Sequence, residues 1–186
     1  MIEPKLNALV LPGYQNSDAG HWQTRWEALD PAFVRVQMPD WDRPSCDAWC
    51  RALDAAAAAA DGPVVFAAHS LGCLTTAFWA LQYASDAQLA KVAGALLVAA
   101  PDPTGPHFPA DVVGFAPVPL ARLPFPTIVV ASSDDPYAGV PFSQTCAKAW
   151  GSRWIGLGAR GHINADSGLG DWDEGRAWLA SLVSSH

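Results

Sequence analysis

Residues 63–73 read Pro63-Val64-Val65-Phe66-Ala67-Ala68-His69-Ser70-Leu71-Gly72-Cys73. The first six are small, β-branched or aromatic, and Asp61-Gly62 before them signals a chain reversal. They predict a buried strand over 63–68. Beyond the serine, Leu71, Leu74, Phe78 and Leu81 recur at three- and four-residue spacing, which predicts a helix. Ser70 therefore sits on a sharp strand-to-helix turn, with small Ala68 and Gly72 letting strand and helix approach closely. That turn lies at the carboxyl end of a buried strand, where open parallel sheets bind ligands. It also opens a helix, whose free N–H groups, Leu71 first, can face a developing negative charge. From this turn alone Ser70 is either a nucleophile or an ordinary helix-capping serine.

Working outward, short apolar runs alternate with helical patterns. Residues 6–11, 33–37, 92–99, 126–131 and 153–157 read as strands, and 18–29, 46–60, 142–150 and 171–183 as helices. Ser45 is placed to cap the second of these helices. The alternation predicts an α/β fold: a three-layer α/β/α sandwich with about six mainly parallel strands, one domain over 1–186. Residues 101–126 break the pattern with repeated prolines. They cannot form a long helix, and read as a lid or binding segment or as a stiff surface excursion.

Composition narrows the function. The chain has 186 residues, enough to bury a full core, with 51% hydrophobic and 16% charged residues. Its 18 acidic and 11 basic residues leave a charge of −7, the wrong sign for a general nucleic-acid binder. No apolar run is long enough to span a bilayer, and the start lacks the charged leader and apolar core of a signal peptide. A cytoplasmic protein with no membrane partner is expected. Cys46 and Cys50 share the apolar face of a helix with Trp49 and Leu53, so they read as buried thiols. No metal is expected, because two cysteines four apart make a poor zinc site and no histidine pair has ligand spacing. No Gly-x-Gly-x-x-Gly follows the first strand, so a dinucleotide cofactor is not expected either.

A serine nucleophile needs a base, and the base needs an orienting acid. After the strand at 126–131 comes Ser132-Ser133-Asp134-Asp135-Pro136; after that at 153–157 comes Gly158-Ala159-Arg160-Gly161-His162. Both segments fall at the same sheet edge as Ser70. The chain order serine, acid, histidine is the order expected when this turn carries a triad. Asp135 is preferred as the acid because Pro136 biases its backbone to an extended shape. Asp134 is the alternative, or a brace for the turn. The second oxyanion donor is assigned to Tyr14 N–H, in the loop Pro12-Gly13-Tyr14 after the first strand. Gly13, His21 and Trp41 are candidates to touch substrate. His69 reads as a packing or supporting residue beside the nucleophile, and Trp22, Trp26, Trp49 and Trp79 as core.

With these residues in view the chain resembles an α/β-hydrolase, and more narrowly the small serine hydrolases related to retinoblastoma-binding protein 9. The matching pieces are LPGYQNSDAGHWQTRWE at 11–27, MPDW at 38–41, AHSLG at 68–72, SSDDPY at 132–137 and GHIN at 161–164. The family usually has glycine where Ala68 stands. The resemblance implies Ser70 as nucleophile, Asp135 as acid and His162 as base. The expected activity is hydrolysis of a small ester or amide through an acyl-enzyme, with no cofactor. Activity should fall as acid protonates His162, since imidazolium cannot act as a base. A catalytically silent binding module and an acyltransferase using the same serine are the alternatives.

Overall fold

A computed structural model of the protein describes residues 6–183; residues 1–5, read above for a leader, and 184–186 lie outside them. Six strands form one open sheet: β1 (Asn7–Leu11), β2 (Phe33–Arg35), β3 (Val64–His69), β4 (Val92–Val98), β5 (Thr127–Ala131) and β6 (Arg153–Gly156). Their order is β2-β1-β3-β4-β5-β6 and every neighbouring pair is parallel. The chain moves outward from β1 to β2, then returns past β1 to build the rest. The switch point therefore lies between β1 and β3, where a parallel sheet opens a crevice beyond its carboxyl ends. The loop after β1 carries Gly13, and β3 runs into Ser70.

Strand periodicity divides the core. Val64, Phe66 and Ala68 of β3 face one core, Val65 and Ala67 the other, and all are buried. A strand covered on both faces has no polar side to show, which is why its sequence is a continuous apolar run. Two helices, α1 (Trp22–Leu29) and α6 (Asp173–Val183), cover one face with Trp22, Trp26, Leu179 and Leu182. On the other face lie α2 (Cys46–Ala59), α3 (Leu71–Phe78) and α5 (Val140–Trp150). The three-layer architecture is the expected one.

Trp22, Trp26, Trp49, Trp79 and Trp150 are essentially inaccessible, and each indole N–H is satisfied. The acceptors are Ile163 O, Asp171 O, Asp40 O, Asp54 Oδ1 and Pro119 O respectively, at 2.7–3.1 Å. Burying an aromatic ring contributes about 1.5–3 kcal/mol. Each ring nitrogen then ties its ring to a distant part of the chain, and the bond offsets the cost of burying the N–H.

Several local expectations are corrected. The first helix begins at Trp22, not at residue 18, because Asp18 folds the preceding turn by accepting from Gly20 N–H and His21 N–H. The strand expected over 33–37 ends at Arg35. Ser45 does occupy the N-cap of α2, but its side chain makes no capping bond. Val113 O already takes the Cys46 N–H at 3.0 Å. The helix expected through Leu81 ends at Phe78 and continues as a π-helical turn, Trp79–Tyr83, and a four-residue helix α4 (Asp86–Leu89) follows. Cys46 and Cys50 are buried, with Sγ atoms 3.9 Å apart. No described helix is long and apolar enough to cross a membrane.

The proline-rich segment is built into the fold. Val112, Phe115, Leu123 and Phe125 are buried from it, while Val113 bonds to Pro44 and Cys46. Its stretch from Pro101 to Val112 reaches the carboxyl edge of the sheet.

Candidate active site

The turn after β3 forces Ser70 into φ 53 and ψ −122, backbone that L-residues avoid. Its N–H donates to Val98 O at 2.8 Å, which fastens the turn to β4. Close packing makes the turn possible. A Cβ built on Gly72 would lie 2.3 Å from Leu11 O, and one on Gly13 would lie 2.6 Å from Ser70 Cβ. Both positions exclude any side chain. Ala68, where a glycine was the expected type, is fully buried on β3.

Ser70 stands at the N-cap of α3 without making a capping bond. Its Oγ instead lies 2.8 Å from His162 Nε2. His162 Nδ1 lies 3.0 Å from both oxygens of Asp135. A carboxylate only accepts, so the proton sits on Nδ1 and Nε2 is left to accept from the serine hydroxyl. Asp135 is almost completely buried. Its Oδ1 also accepts from Tyr137 N–H at 2.9 Å, and the Tyr137 ring lies 4.5 Å from the His162 ring.

The neighbouring aspartate does different work. Asp134 Oδ1 accepts from Ser132 Oγ and from Gly161 N–H, both at 2.7 Å, so it ties the β5 loop to the histidine loop. These bonds hold its carboxyl below the usual range, the Ser132 hydroxyl first. Ser132 Oγ also accepts from Arg160 N–H at 2.8 Å.

His69, the last residue of β3, turns away from Ser70 and places Nε2 2.8 Å from His162 O. A carbonyl accepts, so His69 donates. His21 caps α1: its Nδ1 accepts from Gln23 N–H at 3.2 Å, which puts the proton on Nε2. Burial keeps both rings neutral. It pushes His21 down to about 4 and His69 well below its ordinary value. His21, His69 and His162 stand ring against ring, with centroids 4.5 and 4.8 Å apart.

A cleft of about 310 Å³ opens over Ser70. Gly13, Tyr14, His21, Leu71 and His162 line it, as do Phe108, Pro109 and Val112 from the proline-rich segment. Trp41 does not line it. Its ring packs on Trp49 at 5.6 Å, and its carbonyl accepts from Gln15 N–H at 2.9 Å. The apolar wall from 108–112, the Tyr137 ring and the brace Gln23 were not singled out in the sequence. Gln23 is buried, accepts from Ser17 Oγ, and donates to Leu11 O and Ala67 O beneath the serine turn. Among the described residues no cluster of His, Cys, Asp or Glu could hold a metal ion.

A family profile described as serine hydrolase matches residues 8–181. The chain belongs to the serine hydrolase family. Among solved structures, this hydrolase is similar to a YdeN-like hydrolase from Pectobacterium atrosepticum. That likeness is 30% identical with TM-score 0.84, and covers 97% of this chain and 91% of the other. The ydeN gene product of B. subtilis is 19% identical, with TM-score 0.73 over 97% of this chain and 99% of that one. A monoacylglycerol lipase of Paleococcus ferrophilus is 12% identical, with TM-score 0.68 and coverage of 98% and 96%. The last two show the shared fold alone. No curated protein matches the sequence significantly.

Proposed function

We propose that this hydrolase cleaves a small carboxylic ester or amide through an acyl-enzyme on Ser70, with His162 as base and Asp135 as orienting acid. The observation that carries the reading is the continuous chain of hydrogen bonds from Ser70 Oγ through His162 to Asp135.

Ser70 Oγ attacks the carbonyl carbon, and its proton passes to His162 Nε2. The carbonyl π electrons move onto oxygen. The buried Asp135 carboxylate stabilises the imidazolium and fixes its orientation. Leu71 N–H, in the first turn of α3, has no intrahelical partner and is one oxyanion donor. Tyr14 N–H is the other. In support, a Cβ on Gly13 would lie 3.1 Å from Ser70 Oγ and 3.2 Å from Leu71 N, so the β1 loop passes beside both. As the tetrahedral intermediate collapses, the bond to the leaving alcohol or amine breaks, and His162 returns the proton to it. Water then attacks the acyl carbon while His162 takes its proton, and Ser70 Oγ departs as a hydroxyl.

The test is hydrolysis of 4-nitrophenyl esters of increasing acyl length. Turnover by the wild type with an initial burst, absent in Ser70→Ala, is expected. Equal turnover by Ser70→Ala would contradict the reading. An acyltransferase would share every step up to the acyl-enzyme, so products are also analysed with an added alcohol as competing acceptor.

A further inference from the structure

Two left-handed residues flank His162: Gly161 at φ 57 and Ile163 at φ 51. Glycine takes that conformation freely. A β-branched residue resists it, at about 1–3 kcal/mol, and holds it only where the surroundings over-determine the backbone. The surroundings here are two ring N–H groups on consecutive carbonyls. His69 Nε2–H donates to His162 O at 2.8 Å, and Trp22 Nε1–H donates to Ile163 O at 3.0 Å. The donors come from β3 and α1, 93 and 141 residues away in sequence. Both rings are buried, and the Ile163 side chain is fully enclosed in the same core as Trp22 and Trp172.

We propose that His69 and Trp22 are positioning residues, a two-pronged clamp on the histidine loop that holds His162 Nε2 against Ser70 Oγ. The proposal rests on the acyl-enzyme reading above.

The clamp acts on backbone, where Asp135 acts on the side chain. Asp135 sets the rotation of the imidazole but leaves the position of its Cα free. Without the two ring donors, Ile163 gains by relaxing out of its left-handed conformation, and His162 shifts with it. A displacement of about 1 Å from the productive geometry costs about a hundredfold in rate. His69 suits this role because it is neutral. Its single ring proton is committed to His162 O, and burial opposes a second proton. His21, edge-on to His69 and itself neutral, closes the pocket behind it.

The test compares kcat and KM for an activated ester across wild type, His69→Phe, His69→Gln and Trp22→Phe. His69→Phe keeps a ring and loses the donor; His69→Gln restores an amide donor. We expect kcat to fall about a hundredfold in His69→Phe with KM nearly unchanged, and His69→Gln to recover about tenfold of it. Trp22→Phe should lower kcat by about tenfold. In the proton spectrum, the low-field His162 Nδ1–H resonance should broaden or move in His69→Phe. A folded His69→Phe with wild-type kcat and an unmoved resonance overturns the clamp. If that variant does not fold, Trp22→Phe decides in the same way. Lack of turnover by the wild type would defeat the acyl-enzyme reading instead, and the resonance would still report on the clamp.

Discussion

At the amino edge of the sheet the left-handed positions are glycines: Gly62 precedes β3 with φ 102, and Gly151 precedes β6 with φ 73. At the carboxyl edge the left-handed positions fall to Gln15, Asn16, Ser70, Ala99 and Ile163 as well. The amino edge has the larger groove, about 830 Å³, lined by Leu6, Pro63, Ala90 and Phe125. Lys91 is the one charged residue on its wall among the described residues. The smaller cleft at the other edge gathers Ser70, His162, His69 and His21. Size does not separate the two ends. The separation lies in backbone that the local sequence would not choose, held by partners from distant elements. Such strain persists where the surroundings enforce it, and it clusters at active sites.

The difference between the edges is tested most directly at His162. His162→Ala should lower kcat by about 10²–10⁴-fold while thermal unfolding changes little, read by ester turnover and a melting curve. A comparable loss from a change at the amino edge would void the distinction.

Gly72→Ala sharpens it at the serine turn. The new Cβ runs into Leu11 O, a backbone atom of β1 that cannot swing aside. Overpacking of this kind costs about 1–3 kcal/mol or more, and here it also displaces Ser70. Melting temperature and turnover should both fall.

Acid should weaken the carboxyl edge first. His21 is held at about 4, chiefly by burial, with Arg35 and His162 adding to the effect and Asp18 opposing it. Its ordinary value is 6.5. Between those pH values the unfolded chain binds a proton that the folded chain refuses. Stability contributed by the neutral ring is therefore complete above pH 6.5 and lost as pH falls toward 4, by about 1.4 kcal/mol per pH unit. His69, buried beside it and also held low, adds to the loss, so His21→Asn, which can still cap α1, should reduce that slope without abolishing it in denaturant titrations. An unchanged slope would show that His21 is not its source.

The smallest effect is expected at the amino edge. Gly151→Ala places a Cβ 2.8 Å from Arg122 Nη1, the end of an exposed flexible side chain. Left-handed backbone then costs about 1–2 kcal/mol. The melting temperature should drop slightly and kcat should not change.

Much of this architecture is legible in the sequence because it is periodic. Apolar runs such as 63–68 and the spacing of Leu71, Leu74 and Phe78 give the layers, and the loops after β3, β5 and β6 fall on one edge by topology. The sequence favours Asp135 over Asp134 through Pro136, and Asp135 is the carboxylate that lies against His162 Nδ1. What escaped the sequence is long-range. Ser45 looks like a capping residue and stands at the N-cap, but its side chain makes no capping bond, while the loop is tied by a bridge to Val113, 68 positions on. Trp41 follows a strand like a cleft residue, yet the ring of Trp49 takes it out of the cleft. The left-handed Ile163 has no local signature, since its causes are His69 and Trp22.

The central claim is that Ser70 is a nucleophile activated by His162. Intact-mass labelling with a fluorophosphonate tests it directly on wild type, Ser70→Ala and His162→Ala. The account predicts a single adduct on wild type, none on Ser70→Ala, and a strongly slowed reaction on His162→Ala. No adduct on folded wild type, or equal labelling of His162→Ala, would contradict it.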